Sequence, residues 1–206
     1  MATLANSEER TANSDAVSAF ILAGGRSSRM GEDKALLTFG GRSLLQRALD
    51  TAAPVAADLC IVGAKERYGS FGRVIEDIYP GCGPLGGIHA ALTSTSTELN
   101  LLLSVDMPLM SAAFLAWLVE TAARATELIV VPDAAGGPQP LCAMYRRAVA
   151  SAAEEALKAG DYKVGHLFSR VPTRMLGEHE IVAAGFPPEI FRNINTREEY
   201  AQCRLR

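Results

Sequence analysis

The chain lacks any stretch approaching the roughly 18 consecutive apolar residues that a membrane span needs, so no transmembrane helix is expected in it. It lacks a C-x-x-C pair as well. The four cysteines, Cys60, Cys82, Cys142 and Cys203, are scattered, a spacing that argues against a zinc site or a disulfide framework and fits a reducing cytoplasm. Nor is there an excess of positive charge. The net charge of −3 gives no general attraction for nucleic acid, so a polyanionic ligand would have to be held by local charge. His89, His166 and His179 are too far apart for a metal-ligand spacing and read as ordinary surface or core histidines. Ser104 and Cys142 have no His and Asp partners at a spacing that suggests an activated nucleophile. Neither G-x-G-x-x-G nor G-x-x-x-x-G-K-[ST] occurs, which removes the two commonest nucleotide fingerprints. There is no internal repeat and no low-complexity tract. Residues 1–16 are polar, without the charged start and apolar core of a signal peptide, and are expected to be a disordered extension. Residues 17–206 are expected to form one domain with a sizeable core, since 49% of the 206 residues are hydrophobic.

What is present is concentrated in residues 21–34, Ile-Leu-Ala-Gly-Gly-Arg-Ser-Ser-Arg-Met-Gly-Glu-Asp-Lys. The preceding Val17, Phe20, Ile21 and Leu22 suit a short buried strand, so this loop begins where a strand ends, the place where open α/β sheets bind ligands. Gly24, Gly25 and Gly31 lack a Cβ and allow backbone N–H groups to approach a phosphate closely. Arg26, Arg29 and Lys34 supply charge against a polyanion. The segment reads as a cradle for a nucleoside triphosphate. The plainer alternative is a solvated Gly/Ser turn with incidental charges.

Further strands are expected over 58–62, 73–75, 100–105, 127–131 and 141–145, and helices over 43–53, 86–92, 111–126 and 147–159. Ser111 suits an N-cap, and Thr196 with Glu199 forms a capping box opening a last helix. Strands that alternate with helices imply βαβ units and a three-layer α/β/α Rossmann-like fold with a mostly parallel central sheet. Ligands should gather at the carboxyl ends of the first and fourth strands. Asp106 stands at such an end, after the largely apolar run 101–105 and two residues before Pro108. A carboxylate there, opposite a phosphate loop, is placed to hold magnesium, or else caps the turn into the next helix. Asp77 lies between a short strand and a Gly- and Pro-rich loop, and Asn193 and Asn195 precede Thr196; each could be a plain turn residue.

These motifs resemble the molybdenum cofactor guanylyltransferases, within the nucleotidyltransferase superfamily of the sugar-nucleotide pyrophosphorylases. The residues that carry the likeness are Leu22-Ala23-Gly24-Gly25-Arg26, Arg29-Met30-Gly31 and Asp33-Lys34. Val74-Ile75-Glu76-Asp77 with Gly83-Pro84-Leu85-Gly86-Gly87 follows, then the strand from Leu101 to Pro108, then Gln139-Pro140-Leu141 and Asn193-Ile194-Asn195-Thr196. The order is the family's, and the likeness covers nearly everything beyond residue 16. One departure is that some members carry an Asn after the second strand that touches the nucleotide, where Ile61-Val62-Gly63-Ala64 offers only backbone.

The resemblance implies transfer of GMP from GTP to the terminal phosphate of molybdopterin with release of pyrophosphate, and magnesium as the cofactor. It implies nucleotide binding at Leu22, Ala23, Gly24, Gly25, Lys34, Asp77 and Asp106, catalytic roles for Arg29, Lys34 and Asp106, and metal binding by Asp106 with Asn195. It further implies molybdopterin as the second substrate, transient contact with cofactor-delivering or acceptor molybdoenzyme proteins, and a cytoplasmic location. The segment 160–163 with Arg170 falls where the family is thought to meet the second substrate, though a solvated surface accounts for each residue singly. Family members that use CTP tend to open with Thr-Ala-Ala-Gly, so Leu22-Ala23-Gly24-Gly25 favours GTP. The alternatives are a cytidylyltransferase on the same pterin or another phosphorylated small molecule, and a non-catalytic nucleotide-binding protein.

Overall fold

The computed structural model describes residues 16–24 and 33–193. Its first strand, β1 (Val17–Leu22), is buried along its whole length, as VSAFIL requires of a strand covered on both faces. A short hairpin of β2 (Thr38–Phe39) and β3 (Arg42–Ser43) leads into α1 (Leu44–Ala52). That helix starts where it does because the Ser43 hydroxyl accepts a hydrogen bond from the Gln46 N–H at 3.1 Å. Then come β4 (Asp58–Val62), the single turn α2 (Lys65–Tyr68), β5 (Val74–Ile75), α3 (Pro84–Thr93) and β6 (Leu99–Ser104). Helix α4 (Ala112–Arg124) follows, capped as expected by Ser111, whose hydroxyl accepts from the Phe114 N–H at 3.2 Å. The chain continues through β7 (Ile129–Ala134), β8 (Gly137–Pro138), β9 (Cys142–Arg146), α5 (Val149–Lys158), α6 (Val164–Leu167), β10 (Thr173–Gly177) and α7 (Glu178–Ala183).

The main sheet runs in the order β10-β7-β9-β6-β1-β4-β5, with β8 paired to β7. Strand β1 lies parallel to β4 on one side and β6 on the other, so the chain reverses its direction of winding between β1 and β6. That is the switch point at which open α/β sheets leave a crevice beyond their strand ends. Strand β9 is antiparallel to both β6 and β7, and β8 is antiparallel to β7; the remaining pairings within this sheet are parallel.

Alternate residues of the central strands feed two cores. Ala19, Ile21, Ile61, Leu101 and Leu103 pack with α1 and α4, while Phe20, Leu22, Cys60, Val62 and Leu102 pack with α3 and α5. The three-layer arrangement therefore follows from strands apolar on both faces. Phe114 anchors the first layer, fully buried, with Phe186 and Phe191 edge-on at 5.3 and 5.1 Å.

The expected strands and long helices are present with ends shifted by a few residues at most. Strand β10 is not among the expected elements, because an edge strand with only Leu176 buried carries no apolar run to read; nor are the short β2–β3 hairpin, β8, α2, α6 and α7. The Thr196 and Glu199 capping box and almost all of the 1–16 segment lie outside the described residues.

Candidate active site at the carboxyl ends of β1 and β6

The loop after β1 is anchored before it leaves the sheet. The N–H groups of Ala23 and Gly24 both donate to the Val62 carbonyl, at 3.0 and 3.2 Å, and the Val105 N–H donates to the Leu22 carbonyl at 3.3 Å. The Leu22 side chain is buried and belongs to the α3 and α5 core, so this residue offers a ligand its backbone only. Gly24 sits beside Gly63, where an added Cβ would meet backbone atoms at 3.8 Å.

From Asp33 the chain forms a 3₁₀ turn over Lys34–Leu36, capped by Asp33, whose Oδ1 accepts from the Ala35 N–H at 3.1 Å. Fully buried Ala35 pins this turn and directs Lys34 toward β6. The Lys34 Nζ stands 3.1 Å from Oδ2 of Asp106, with side chains 17% and 22% exposed. A cation from the loop and a carboxylate from the neighbouring strand end thus meet across the switch point, 72 residues apart in sequence. Tyr68, at the end of α2, also reaches this region; its hydroxyl lies 2.9 Å from Asp33 Oδ2 and 3.2 Å from the Ala23 carbonyl.

Asp77 follows β5 and lies beside the first turn of α3. A Cβ on Gly86 or Gly87 would come within 3.7 Å of its carboxylate oxygens, and one on Gly87 would press on Leu22 at 3.2 Å. These two glycines let the helix pack close to β1 with Asp77 lying over it. The residue as a whole is exposed, but packing strips water from its carboxyl end and raises its pKa above the ordinary value.

Beyond Asp106 opens a cleft of about 340 Å³ whose lining includes Asp106, Met107, residues 135–141 and Asn193. Its wall is the β7–β8 turn, where Ala135 takes a left-handed φ of 55° followed by Gly136 at 95°. Gln139 fastens that turn, its side-chain amide donating to the carbonyls of Ala134 at 2.9 Å and Gly137 at 3.2 Å. Among the described residues the buried Asn193 Oδ1 finds no hydrogen-bond partner. A buried amide oxygen without a partner is costly in an empty site and suits one that accepts a donor or a cation.

Lys34, Asp106, Leu22, Ala23 and Gly24 are therefore brought together, with Asp77 nearby across β4 and β5. Gly25, Arg29 and Asn195 lie outside the described residues. The segment 160–163 does not line the cleft: Asp161 is paired there with Arg170 and His166, each at 2.8 Å. Tyr68 belongs to none of the motifs, and its contact with Asp33 joins residues distant in sequence; Gln139 stands in the Gln139-Pro140-Leu141 motif, but its role of fastening the turn is visible only in the fold. The histidines lie away from this cleft. His89 is buried between α3 and α5, where desolvation lowers its pKa, and burial raises the thiol pKa values of Cys60 and Cys142, leaving them inert.

Among the described residues no group of three or more His, Cys, Asp or Glu side chains could hold a metal ion. Magnesium does not need one, because it is commonly bound by one or two carboxylates together with substrate phosphates and water. Asp106 and the unpartnered Asn193 oxygen, both on the same cleft, are the hard oxygen donors such an ion takes. No helix among the described residues is long and apolar enough to cross a membrane.

The two ends of a glycine- and arginine-rich segment, a lysine and a carboxylate gathered at the switch point of a mostly parallel sheet define a nucleotide-handling α/β enzyme. The family model for the MobA-like NTP transferase domain matches residues 19–175, and the chain belongs to that family. A probable molybdenum cofactor guanylyltransferase of Pelotomaculum thermopropionicum is 34% identical over 187 residues, 90% of each chain. Among solved structures, the molybdopterin-guanine dinucleotide biosynthesis protein A of Archaeoglobus fulgidus superposes with a TM-score of 0.79 at 23% identity, covering 91% of this chain and 97% of that one. The 2-C-methyl-D-erythritol 4-phosphate cytidylyltransferase of Thermus thermophilus superposes with a TM-score of 0.69 at 20% identity over 92% and 98%. At those identities the structures attest the fold.

Proposed function

We propose that the protein transfers GMP from GTP to the terminal phosphate of molybdopterin and releases pyrophosphate, in the cytoplasm. The observation that carries this reading is the Lys34–Asp106 pair at the mouth of the cleft, in a chain whose relative over nine-tenths of its length is called a guanylyltransferase. The nucleophile is a phosphate oxygen already ionised at neutral pH, so no general base is needed. What the protein must do is align attack on the α-phosphorus and offset the repulsion between two anions.

Lys34 places its ammonium against the triphosphate, and Arg29 adds a second cation from the same loop. The backbone of residues 22–25 holds the departing pyrophosphate. Asp77 accepts from the base, at the far side of the Gly86-Gly87 turn. Asp106, with Asn193 and Asn195, would hold magnesium, whose charge neutralises phosphate oxygens when it is bound. The cleft beyond Asp106, walled by residues 135–141, receives the phosphate end of molybdopterin. Transient docking of molybdopterin-delivering and molybdoenzyme proteins at its rim completes the proposal.

The deciding experiment is turnover of GTP against CTP with molybdopterin as acceptor, read as pyrophosphate release and as the dinucleotide formed. Guanylyl transfer predicts the guanine dinucleotide with GTP strongly preferred. Preference for CTP would make the protein a cytidylyltransferase, and absence of pyrophosphate with either nucleotide would leave only a nucleotide-binding protein.

A further inference from the structure

The lysine that meets Asp106 sits on a turn whose orientation depends on a hydroxyl outside every motif. Tyr68 ends α2, and its ring lies over Gly63, where a Cβ would come within 2.7 Å of the ring edge. Any side chain at residue 63 would push the ring away. From that position the Tyr68 oxygen reaches both ends of the phosphate loop, with the Ala23 carbonyl at 3.2 Å and the Asp33 carboxylate oxygens at 3.1 and 2.9 Å. A phenol has one proton to give, and the carboxylate is the stronger, charge-assisted acceptor. Desolvation above all, helped by the Asp33 carboxylate, pushes the phenol pKa up to about 12, so the donor keeps its proton across the neutral range.

Asp33 passes that constraint on. Its Oδ1 caps the 3₁₀ turn that bears Lys34, while Oδ2 faces Tyr68 and, at 3.5 Å, the Arg67 guanidinium. The Arg67 side chain is 66% exposed, and an exposed ion pair at that distance contributes little. The Asp33 carboxylate is thus held from two sides, by the Ala35 N–H of the turn itself and by the Tyr68 hydroxyl, and among the described residues the hydroxyl is the one side-chain donor within 3.2 Å that ties the turn, and with it the direction of Lys34, to the neighbouring α2.

We propose that Tyr68 is a positioning residue for Lys34, acting through Asp33 to hold the lysine ammonium where the nucleotide phosphates arrive. The inference rests on the nucleotide reading above and goes beyond it in assigning a role to a residue that touches no substrate. Small misplacement of a group that must meet developing charge is expensive in rate and in binding, which is why such a brace matters.

The test is calorimetric titration of GTP with magnesium into the nucleotide-free protein and into Tyr68→Phe, Lys34→Ala and the double variant. Tyr68→Phe is expected to weaken GTP binding roughly tenfold, the scale of one lost hydrogen bond to a charged group, with the melting temperature of the nucleotide-free protein nearly unchanged. In the Lys34→Ala background the same substitution is expected to change affinity by less than about twofold, because the group it positions is gone. Gly63→Ala, which crowds the ring from the other side, should weaken binding in the same direction. Equal GTP affinity in Tyr68→Phe and the parent protein overturns the proposal, and so does an equal loss in both backgrounds, which would mark Tyr68 as a general scaffold. Loss of the fold in Tyr68→Phe would overturn it too, since the hydroxyl would then be structural. A parent protein that takes up no GTP overturns the nucleotide reading first, and this proposal with it.

Discussion

The Lys34 ammonium and the Asp106 carboxylate stand 3.1 Å apart, each the counter-ion of the other across the switch point between β1 and β6. Both are largely withdrawn from water, so the attraction between them is offset by the cost of desolvating two charges. The value of the pair lies in placement: it keeps two opposite charges together and oriented at the place where a polyanion and its cation would separate them. Substitution at either end should therefore cost function far more than stability.

Asp106→Asn is expected to lower turnover by about a hundredfold or more, the usual scale for removing an electrostatic element from a reacting site. GTP binding should remain measurable, because Lys34 and the loop still meet the phosphates. Pyrophosphate release as a function of magnesium concentration checks this. Turnover near the parent rate at limiting magnesium would remove Asp106 from the metal site.

Lys34→Ala should weaken GTP binding and slow transfer together. The melting temperature of the nucleotide-free protein should move little, since fully buried Ala35 and the Asp33 cap, not the lysine, hold the turn in place. A variant that melts far lower yet keeps its GTP affinity would show Lys34 to be structural.

Much of this architecture is legible in the sequence because burial on both faces writes itself as largely apolar runs. Residues 17–22, interrupted by Ser18, and 99–104, interrupted by Asn100 and Ser104, are such runs, and the strands they mark flank the cleft. Ser43 and Ser111 are legible for a local reason, a hydroxyl one residue ahead of an apolar helix. The direction of β9 is not legible, since CAMYR reads the same whether it runs with β6 or against it. Nor is the meeting of Tyr68 with Asp33, which depends on Gly63 leaving room for a ring contributed 35 residues away from the carboxylate. Motif glycines and charges mark the site, whereas Tyr68, which braces it, lies in an ordinary stretch of chain.

Asp77 makes a prediction about pH. Its pKa is raised in the folded protein, so the folded state disfavours the charged carboxylate relative to the unfolded chain. The stability associated with the neutral form is present below the ordinary carboxylate range and lost as pH rises through the raised value. Asp77→Asn should thus melt no lower than the parent at neutral pH, with the difference between them changing in favour of the parent as pH falls into the carboxylate range. The same variant should bind GTP more weakly. Melting curves from neutral to acidic pH with a GTP titration at neutral pH check both, and a variant less stable at neutral pH with unchanged affinity would make Asp77 a structural turn residue.

The last prediction concerns base choice. Leu22 is committed to the core beneath Gly87, so imitating a CTP-type loop there by Leu22→Thr would disturb packing before it altered recognition. Gly24 is the cleaner probe. A Cβ at that position meets Gly63 and Val62 only at 3.8 Å, so Gly24→Ala is accommodated without displacing backbone. The added methyl group narrows the start of the loop, where a purine needs more room than a pyrimidine. The expected result is a several-fold fall in kcat/KM for GTP and a smaller change for CTP, a partial shift in keeping with the proposal that Asp77 also contacts the base. The measurement is kcat/KM for both nucleotides with molybdopterin as acceptor, alongside a melting curve to show that the fold is kept. An unchanged ratio in a folded, active variant would mean that the loop opening does not read the base, and that discrimination rests with Asp77 and the start of α3.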